Sequence, residues 1–461
     1  MVYRFNGKTA RAALIVLLLA GVAAAGAQPA KRVIGYYPMW YRGTLTPAMI
    51  KFGSLTHIDH AFAWPTADGS LAFGESTVDT GLINSAHRAG VKILLSFGGF
   101  GATQTANFAV VAADTTLRRT FISNVVSHLA AYHYDGADLD WEGPASLADK
   151  ANEVAMVQQM RAAFRAADSS WLITMAVGIS DYSGQWRDFA TLKLSVDWFN
   201  AMCYDIFGSW SPYTGHNAPM VDPPAYAGNW SVTQGIDYLH VTRGIGTDQI
   251  TLGIPFFGMR FLNTAGLYQS FGSAAEILYT DARTDYANGW TYKWDNVSLV
   301  PYLIDPTQTR LDSFDDSTSI SIKCEYAKTS NLAGIMIWAL GEDLYGGAQP
   351  LMDAVGKEVS ATNAVAPPTP LSVPDGYELY ANYPNPFNPS TTIGYRLAQR
   401  TQVSLTVTNA LGQLVARLVD QTQEPGVHEV RFDGSALASG VYFYRIRAGA
   451  FVQTKRLVLL K

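Results

Sequence analysis

The stretch "YDGADLDWEG", residues 134–143, places four carboxylates within eight positions: Asp135, Asp138, Asp140 and Glu142. Side chains of a β-strand alternate between two faces, so the last three of these acids share one face. In a closed parallel barrel that row points into the lumen and steps toward the C-terminal mouth, where barrel enzymes carry their chemistry. The stretch therefore predicts a barrel strand that ends in an active site, with Asp135 as a turn residue before it.

Seven further β-like runs accompany this one. In chain order they are RVIGYYPMW (32–40), LTHIDHAFAW (55–64), VKILLSFGG (91–99), LITMAVGIS (172–180), VDWFNAMCYD (196–205), QITLGIPFFG (249–258) and LAGIMIWAL (332–340). Most are apolar throughout, as strands of a parallel sheet covered on both faces should be, and amphipathic stretches separate them. The pattern predicts an α/β fold with a (β/α)8 TIM barrel. An open doubly wound sheet is the alternative, but no Gly-rich phosphate fingerprint follows the first strand.

Composition narrows the classes of function. The chain has 461 residues, 48% of them hydrophobic and 15% charged, which is enough for a large buried core. Its formal net charge of −5 without a basic run argues against nucleic acid as the main partner. Only Cys203 and Cys324 occur, which excludes a disulfide scaffold and leaves their pairing open.

Residues 1–27 form a predicted targeting segment. Basic residues precede an apolar stretch that ends in "AGA" at 25–27, which is typical of a secretory signal peptide. A membrane anchor is the alternative, but the strongly apolar part is short for one. No later stretch is long and apolar enough to cross a bilayer, so we expect a secreted protein without an integral membrane span.

Three further segments complete the predicted organisation. The barrel is expected to occupy 28–358, with a small β-rich insertion at about 261–318 between the seventh and eighth strands. Residues 359–377 are rich in Pro, Ala, Ser and Thr, which indicates a linker. Alternating strands with Gly turns at 378–461 predict a small all-β sandwich.

The acidic row has two other interpretations. A calcium loop also uses acids at alternate positions, but the EF-hand pattern needs a longer loop with a closing Glu, and Leu139 and Trp141 suit a strand. A solvated turn would not lie on a β-like run. Packed carboxylates cannot all ionise easily, so their pKa values should spread. Glu142, nearest the opening, is the predicted general acid, and we expect neither a metal nor a cofactor.

The chain resembles family 18 of the glycoside hydrolases, the chitinase family. "DGADLDWE" at 135–142 matches that family's DxxDxDxE signature. Further motifs are similar to those of the family and occur in its order: SFGG (96–99), MCYD (202–205), GIPFFG (253–258) and GIMIWAL (334–340).

The resemblance implies a retaining hydrolysis in which the substrate supplies the nucleophile. Glu142 would protonate the glycosidic oxygen and later activate water. Asp140 would bind the N–H of the substrate's 2-acetamido group, whose carbonyl oxygen attacks, and Asp138 would share a proton or hydrogen bond with Asp140. The expected partner is chitin or another β-1,4-linked N-acetylglucosamine oligosaccharide.

Other site residues carry over from the resemblance. Tyr204 would hydrogen-bond the acetamido carbonyl, and Asp205 would contact the sugar in the cleaved subsite. Met202 and Trp338 would form the apolar wall and floor beneath that ring. The remaining residues assigned to substrate binding are Gly98, Gly99, Trp141, Tyr36 and Phe62. Tyr36 and Phe62 are candidate sugar platforms, and core packing is the alternative for them as it is for four tryptophans that are further candidates: Trp40, Trp64, Trp186 and Trp210.

The chain departs from the family pattern in two substrate loops. Phe207 stands where many relatives have His, and Phe257 stands where Tyr is usual. Arg260 follows one position later in the sequence than the corresponding Arg of the family motif. The insertion is expected to form a shorter wall than in many relatives.

The C-terminal module resembles the sorting domain of type IX secretion over about 378–461. The resemblance implies the type IX machinery as a partner, with passage through the periplasm to the cell surface or medium. An accessory carbohydrate-binding sandwich is the alternative for this module. For the barrel, the alternatives are an endo-β-N-acetylglucosaminidase acting on N-glycan cores and a non-catalytic chitin-binding lectin; lectins on this barrel typically lack the acid, and Glu142 is present.

Overall fold

The chain consists of two compact units, Met1–Ala364 and Val365–Lys461. The computed structural model describes residues 31–74, 78–221, 231–363, 377–380, 382, 385, 387–409, 413–449 and 451–459. The predicted signal peptide and most of the predicted linker lie outside the described residues. Each unit has its own hydrophobic core.

Eight parallel strands close into a barrel in the first unit, which confirms the predicted fold class. They are β1 (Arg32–Pro38), β2 (His57–Pro65), β4 (Lys92–Gly98), β5 (Gly136–Asp140), β6 (Leu172–Val177), β7 (Trp198–Ala201), β8 (Ile250–Pro255) and β14 (Gly334–Trp338). Each pairs with the next, and β14 pairs with both β8 and β1 to close the ring. A short strand, β3 (Leu71–Phe73), adds antiparallel to β2. All eight lie within or overlap the runs predicted from the sequence.

Helices surround the barrel and bury their apolar sides against it. They are α1 (Thr80–Arg88), α2 (Ala102–Ala113), α3 (Thr115–Tyr132), α4 (Leu147–Ala167), α5 (Asp181–Gly184), α6 (Phe189–Leu192), α7 (Val232–Asp237), α9 (Ser317–Thr329) and α10 (Pro350–Asn363). Side-chain caps fix where several begin; Ser146 accepts from the backbone N–H of Asp149 at 3.1 Å and starts α4. Cys203 and Cys324 are both buried and free.

An insertion follows the seventh barrel strand, as predicted. It contains β9 (Phe257–Leu262), β10 (Ser273–Leu278), the helix α8 (Tyr279–Ala287), β11 (Thr291–Asp295), β12 (Val300–Ile304) and β13 (Arg310–Ser313). The strands form one antiparallel sheet in the order β10-β9-β13-β12-β11. The sheet begins at Phe257, before the predicted start at 261, because β8 ends at Pro255 and the chain turns directly into β9.

The second unit is all-β, as predicted. One sheet has β15 (Glu378–Leu379), β16 (Ser390–Leu397) and β19 (Gly426–Asp433); the other has β17 (Thr401–Asn409), β18 (Leu414–Gln423), β20 (Gly440–Ala448) and β21 (Phe451–Leu459). Buried residues from both sheets, including Ile393, Leu405 and Tyr444, form one core.

Candidate active site

Asp138 lies at the centre of a buried polar network in the barrel lumen. Its carboxylate accepts hydrogen bonds from the hydroxyls of Tyr36 (2.7 Å), Ser96 (2.7 Å) and Thr174 (2.6 Å) and from the Asn200 amide (3.3 Å). Burial raises the pKa of Asp138, and these donors oppose the rise. Four strands therefore hold this carboxyl in one position.

Asp140 and Glu142 continue the row toward the mouth of the barrel. Asp140 is only 4% exposed, whereas Glu142, two residues beyond, is exposed in the loop after β5. Burial raises the pKa of Asp140 well above its usual value, and the neighbouring Glu142 and Asp138 charges add to the rise. Although Glu142 reaches solvent, the protein around its carboxyl group partly desolvates it and raises its pKa, and the Arg187 guanidinium opposes that rise. A raised pKa makes it easier for such a group to keep a proton that it can later donate.

One oxygen of Asp140 has no protein partner. Its Oδ1 is buried and receives no hydrogen bond from any part of the chain that the structure describes. Buried carboxyl oxygens are almost always paired, so an unpaired one at the edge of a cleft marks a place for a donor on a ligand.

Gly98 and Gly99 allow the end of β4 to lie directly against Asp140. A Cβ on Gly98 would come within 2.0 Å of the Asp140 carbonyl oxygen, and one on Gly99 within 2.7 Å of the Phe62 ring. The Gly99 N–H donates to that same carbonyl at 3.0 Å. The structure thus shows these glycines packing against the active-site strand; contact with a sugar remains a prediction.

An aromatic cluster forms the floor beside the acids. Trp338 stacks on Phe62 with ring centroids 5.7 Å apart and lies 5.4 Å from the Tyr36 ring. Trp40, half exposed, lies 6.4 Å from Trp338. Met202 packs against the same cluster. Trp338 keeps a partly exposed surface, as a sugar platform requires.

Tyr204 and Asp205 lie just after β7, near the acids at the end of β5. Burial raises the pKa of Tyr204 well above its usual value, with Asp140, Asp205 and Glu142 nearby adding to the rise. Part of Asp205 reaches solvent, but the surrounding protein desolvates its carboxyl group and, together with the Glu276 and Glu142 charges, raises its pKa to about 7. The Tyr204 ring meets Phe257 edge to face at 5.5 Å, so the insertion begins at the site.

The structure buries the side chains of two residues assigned to substrate binding. Trp141 is 1% exposed and stacks on Phe108 of α2 at 5.6 Å, because its position directly after β5 turns the side chain away from the lumen. Tyr36 is also 1% exposed, so its ring offers no open face to a sugar, and its hydroxyl donates to Asp138. Phe62, 8% exposed, supports Trp338 from beneath.

The structure places the remaining sequence candidates outside the acid row. Asp135 lies directly before β5, and its carboxylate accepts a hydrogen bond from the Ile93 N–H at 2.8 Å. Phe207 is buried in the core of the insertion, and Arg260 binds Asp312 at 2.6 Å and 2.7 Å. Trp210 is 61% exposed, whereas Trp64 and Trp186 are partly buried.

Sequence reasoning missed the residues that hold the row of acids in place. Asp59 is buried in the lumen and accepts from Asn200 at 3.1 Å; burial and Asp138 raise its pKa well above the usual value. Strand alternation applied to the other runs would have marked Asp59, Thr174 and Asn200 as inward polar residues. Arg187 lies in a loop, and no local pattern marks it. Within the described residues, no group of His, Cys, Asp and Glu could hold a metal ion.

Comparison with known proteins identifies the barrel. Residues 32–343 match the family described as Glycosyl hydrolases family 18. The chain belongs to this family. The Chitinase A1 of Niallia circulans is 28% identical over 436 residues, covering 76% of this chain and 62% of that protein. A probable endochitinase of Caenorhabditis elegans is 30% identical over 359 residues, covering 69% and 58%. The chain thus spans less than two thirds of the length of either relative.

Solved structures of family 18 members share the fold. The immunomodulatory active chitinase from Trichuris suis superposes with a TM-score of 0.66 at 26% identity, covering 72% of this chain and all of that one. A family 18 N-acetylglucosaminidase from Paenibacillus barengoltzii gives 0.65 at 28% identity, covering 71% and 99%.

The C-terminal unit has its own match. Residues 381–460 match the family described as Secretion system C-terminal sorting domain, which confirms the predicted export to the cell surface or medium. Among the described helices, none is both long and apolar enough to cross a membrane.

Proposed function

We propose that this family 18 enzyme is a secreted chitinase that cleaves β-1,4 linkages between N-acetylglucosamine units with retention of configuration. The observation that carries the proposal is the unpaired Oδ1 of Asp140 beside the exposed Glu142. An N–H donor on a ligand bound beside Glu142 would satisfy that oxygen, and a 2-acetamido group supplies one. The chitinases among the relatives support the same substrate.

The first step transfers a proton and forms a ring within the substrate. Glu142, whose pKa is raised by burial, gives its proton to the glycosidic oxygen as the bond from that oxygen to the sugar C1 breaks. The acetamido carbonyl oxygen attacks C1 and forms an oxazolinium ion. Asp140 accepts from the acetamido N–H and offsets the positive charge, while the Tyr204 hydroxyl donates to the acetamido carbonyl.

The second step restores the enzyme. Ionised Glu142 takes a proton from water, whose oxygen attacks C1 as the oxazolinium ring opens and the acetamido group reforms. Asp138 is held by its four donors. It shares a proton or a hydrogen bond with Asp140 as the charge on Asp140 changes. No second carboxylate nucleophile is needed.

Binding of the cleaved sugar uses the surfaces around the row. The partly exposed face of Trp338 forms the floor, Met202 a side wall, and Asp205 a hydrogen-bonding partner. Trp40 and Trp210, both exposed, extend the aromatic surface beyond that subsite.

Product analysis tests this proposal. Purified enzyme is incubated with N-acetylglucosamine hexamer and, separately, with a high-mannose glycoprotein, and fresh products are read by proton NMR. We expect short oligomers from the hexamer that appear first as β-anomers, and none from Glu142→Gln. Release of whole N-glycans would favour the endo-β-N-acetylglucosaminidase alternative, and binding without products a lectin. Products restricted to monomer would indicate the activity named for the Paenibacillus relative.

We also propose that the sorting domain delivers the enzyme through the type IX machinery. The match at 381–460 supports this partner. Deletion of 378–461 should leave active enzyme inside the cell, and normal export of the truncated chain would contradict the proposal.

A further inference from the structure

A buried ion pair lies directly behind the general acid. Arg187, between α5 and α6, is 4% exposed, and its Nη1 donates to Glu153 Oε1 on α4 at 2.6 Å. Its Nη2 donates to the main-chain carbonyl of Trp141. That carbonyl belongs to the peptide that joins Trp141 to Glu142, so the guanidinium holds the backbone at the residue before the acid.

A buried ion pair is an unfavourable choice if its only role is to hold a loop in place. Removing two charges from water has a large free-energy cost, and apolar residues of similar volume often stabilise a fold as well or better. The geometry also leaves Arg187 Nε and Glu153 Oε2 without a hydrogen bond in the described part of the chain. Stability alone therefore does not explain the pair.

Its position gives it a second effect. The Arg187 charge lowers the pKa of Asp140 and of Glu142, opposing the rise that burial produces. The charged and titratable groups around Glu142 are Asp140 at the end of β5, Arg187 after β6, and Tyr204 and Asp205 after β7. Arg187 is the cation among them, and the others are anions or neutral.

We propose that the Arg187–Glu153 pair positions Glu142 for proton transfer by fixing the Trp141–Glu142 peptide and placing a positive charge behind the acid. Arg187 is a positioning residue, since it acts through Glu142. The inference rests on the proposed function of Glu142 as acid and base, because only a group that both gives and takes a proton gains from this placement.

The test replaces both charges at once, which avoids a lone buried charge. Arg187→Met/Glu153→Gln is compared with Arg161→Met/Asp197→Asn, a pair at the other end of the barrel. Arg161 also binds a carboxylate, on Asp197, and main-chain carbonyls, those of Ser195 at 2.9 Å and Trp171 at 3.0 Å. Arg187→Lys tests whether the charge alone restores function.

Three readouts separate positioning from support of the fold. For Arg187→Met/Glu153→Gln on an aryl chitobioside, we expect kcat to fall about tenfold or more, a part of the 10²–10⁴ that a placed general acid supplies. KM should stay within about twofold, and the alkaline limb of kcat should move up by about half a pH unit or more. Arg187→Lys keeps the positive charge but not the guanidinium geometry, so the alkaline limb of this variant should lie closer to that of wild type than its kcat does. The control pair should lose thermal stability with an unchanged pH profile. Equal pH profiles in both double variants would overturn the proposal.

A measurement without turnover keeps this inference separate from the proposed function. The Glu142 carboxyl is titrated by NMR in protein labelled with ¹³C at the glutamate carboxyl, and its signal is assigned by loss in Glu142→Gln. We expect a higher pKa in Arg187→Met/Glu153→Gln than in wild type, even if chitin is not the substrate. An unchanged pKa would refute the inference while leaving the chitinase proposal standing.

Discussion

Asp140→Asn should reduce activity and raise stability at the same time. The variant removes a carboxylate that is 4% exposed and lies between Asp138 and Glu142. During catalysis that charge faces a positive oxazolinium; at about 4 Å and an effective dielectric constant of about 20, the attraction is about 4 kcal/mol. The amide retains an acceptor oxygen, so we expect about 3 kcal/mol to be lost, or about 200-fold in kcat.

Stability should change in the opposite direction. An aspartate whose folded pKa is raised makes folding less favourable once pH exceeds the unfolded pKa, and the loss grows as pH rises toward the folded value. Asn removes this effect, and we expect a gain of about 1 kcal/mol at pH 7, or about 2 °C in Tm. Differential scanning calorimetry and steady-state kinetics on an aryl chitobioside measure both. A kcat within threefold of wild type, or a lower Tm at pH 7, would refute the reasoning.

Three further substitutions test the support of the row. Tyr36→Phe removes the 2.7 Å hydrogen bond to Asp138 and should lower kcat about tenfold with little change in KM; an unchanged kcat would remove Tyr36 from the account. Gly98→Ala places a Cβ 2.0 Å from the Asp140 carbonyl at a φ of 131° and should cost about 3 kcal/mol in urea unfolding; Gly90→Ala, at a φ of 74° with open space, is the matched control. Asp59→Asn should raise Tm more at pH 8 than at pH 4, because burial raises the pKa of this carboxyl; an equal shift at both pH values would contradict that.

The acid row could be predicted from the sequence because its information is local. Alternation along the run at 134–143 assigns Asp138, Asp140 and Glu142 to one face whatever the rest of the chain does, although β5 itself ends at Asp140 and Glu142 follows in the loop. The same rule places Trp141 on the other face, where the structure puts it against Phe108. Its assignment to substrate binding came from membership of the motif and disregarded that alternation.

The supports of the row could not be predicted in the same way. Asp138 is held by residues from four strands, and Arg187 reaches Glu142 through the backbone of another loop. Such contacts depend on which strands are neighbours and on how far each is shifted along the barrel axis. The predicted start of the insertion, at about 261, falls after the start of β9 for a simpler reason: β8 and β9 follow each other with one residue between them, so the apolar run shows no break.

The central claim is that the substrate supplies the nucleophile to a site whose acids only move protons and orient the acetamido group. It is tested most directly by comparing hydrolysis of an aryl chitobioside with that of its analogue bearing a 2-hydroxyl in place of the 2-acetamido group on the cleaved sugar. The account predicts turnover of the first with β-anomer formed initially, and a rate at least about 10³-fold lower for the second. Comparable rates for the two substrates would contradict it.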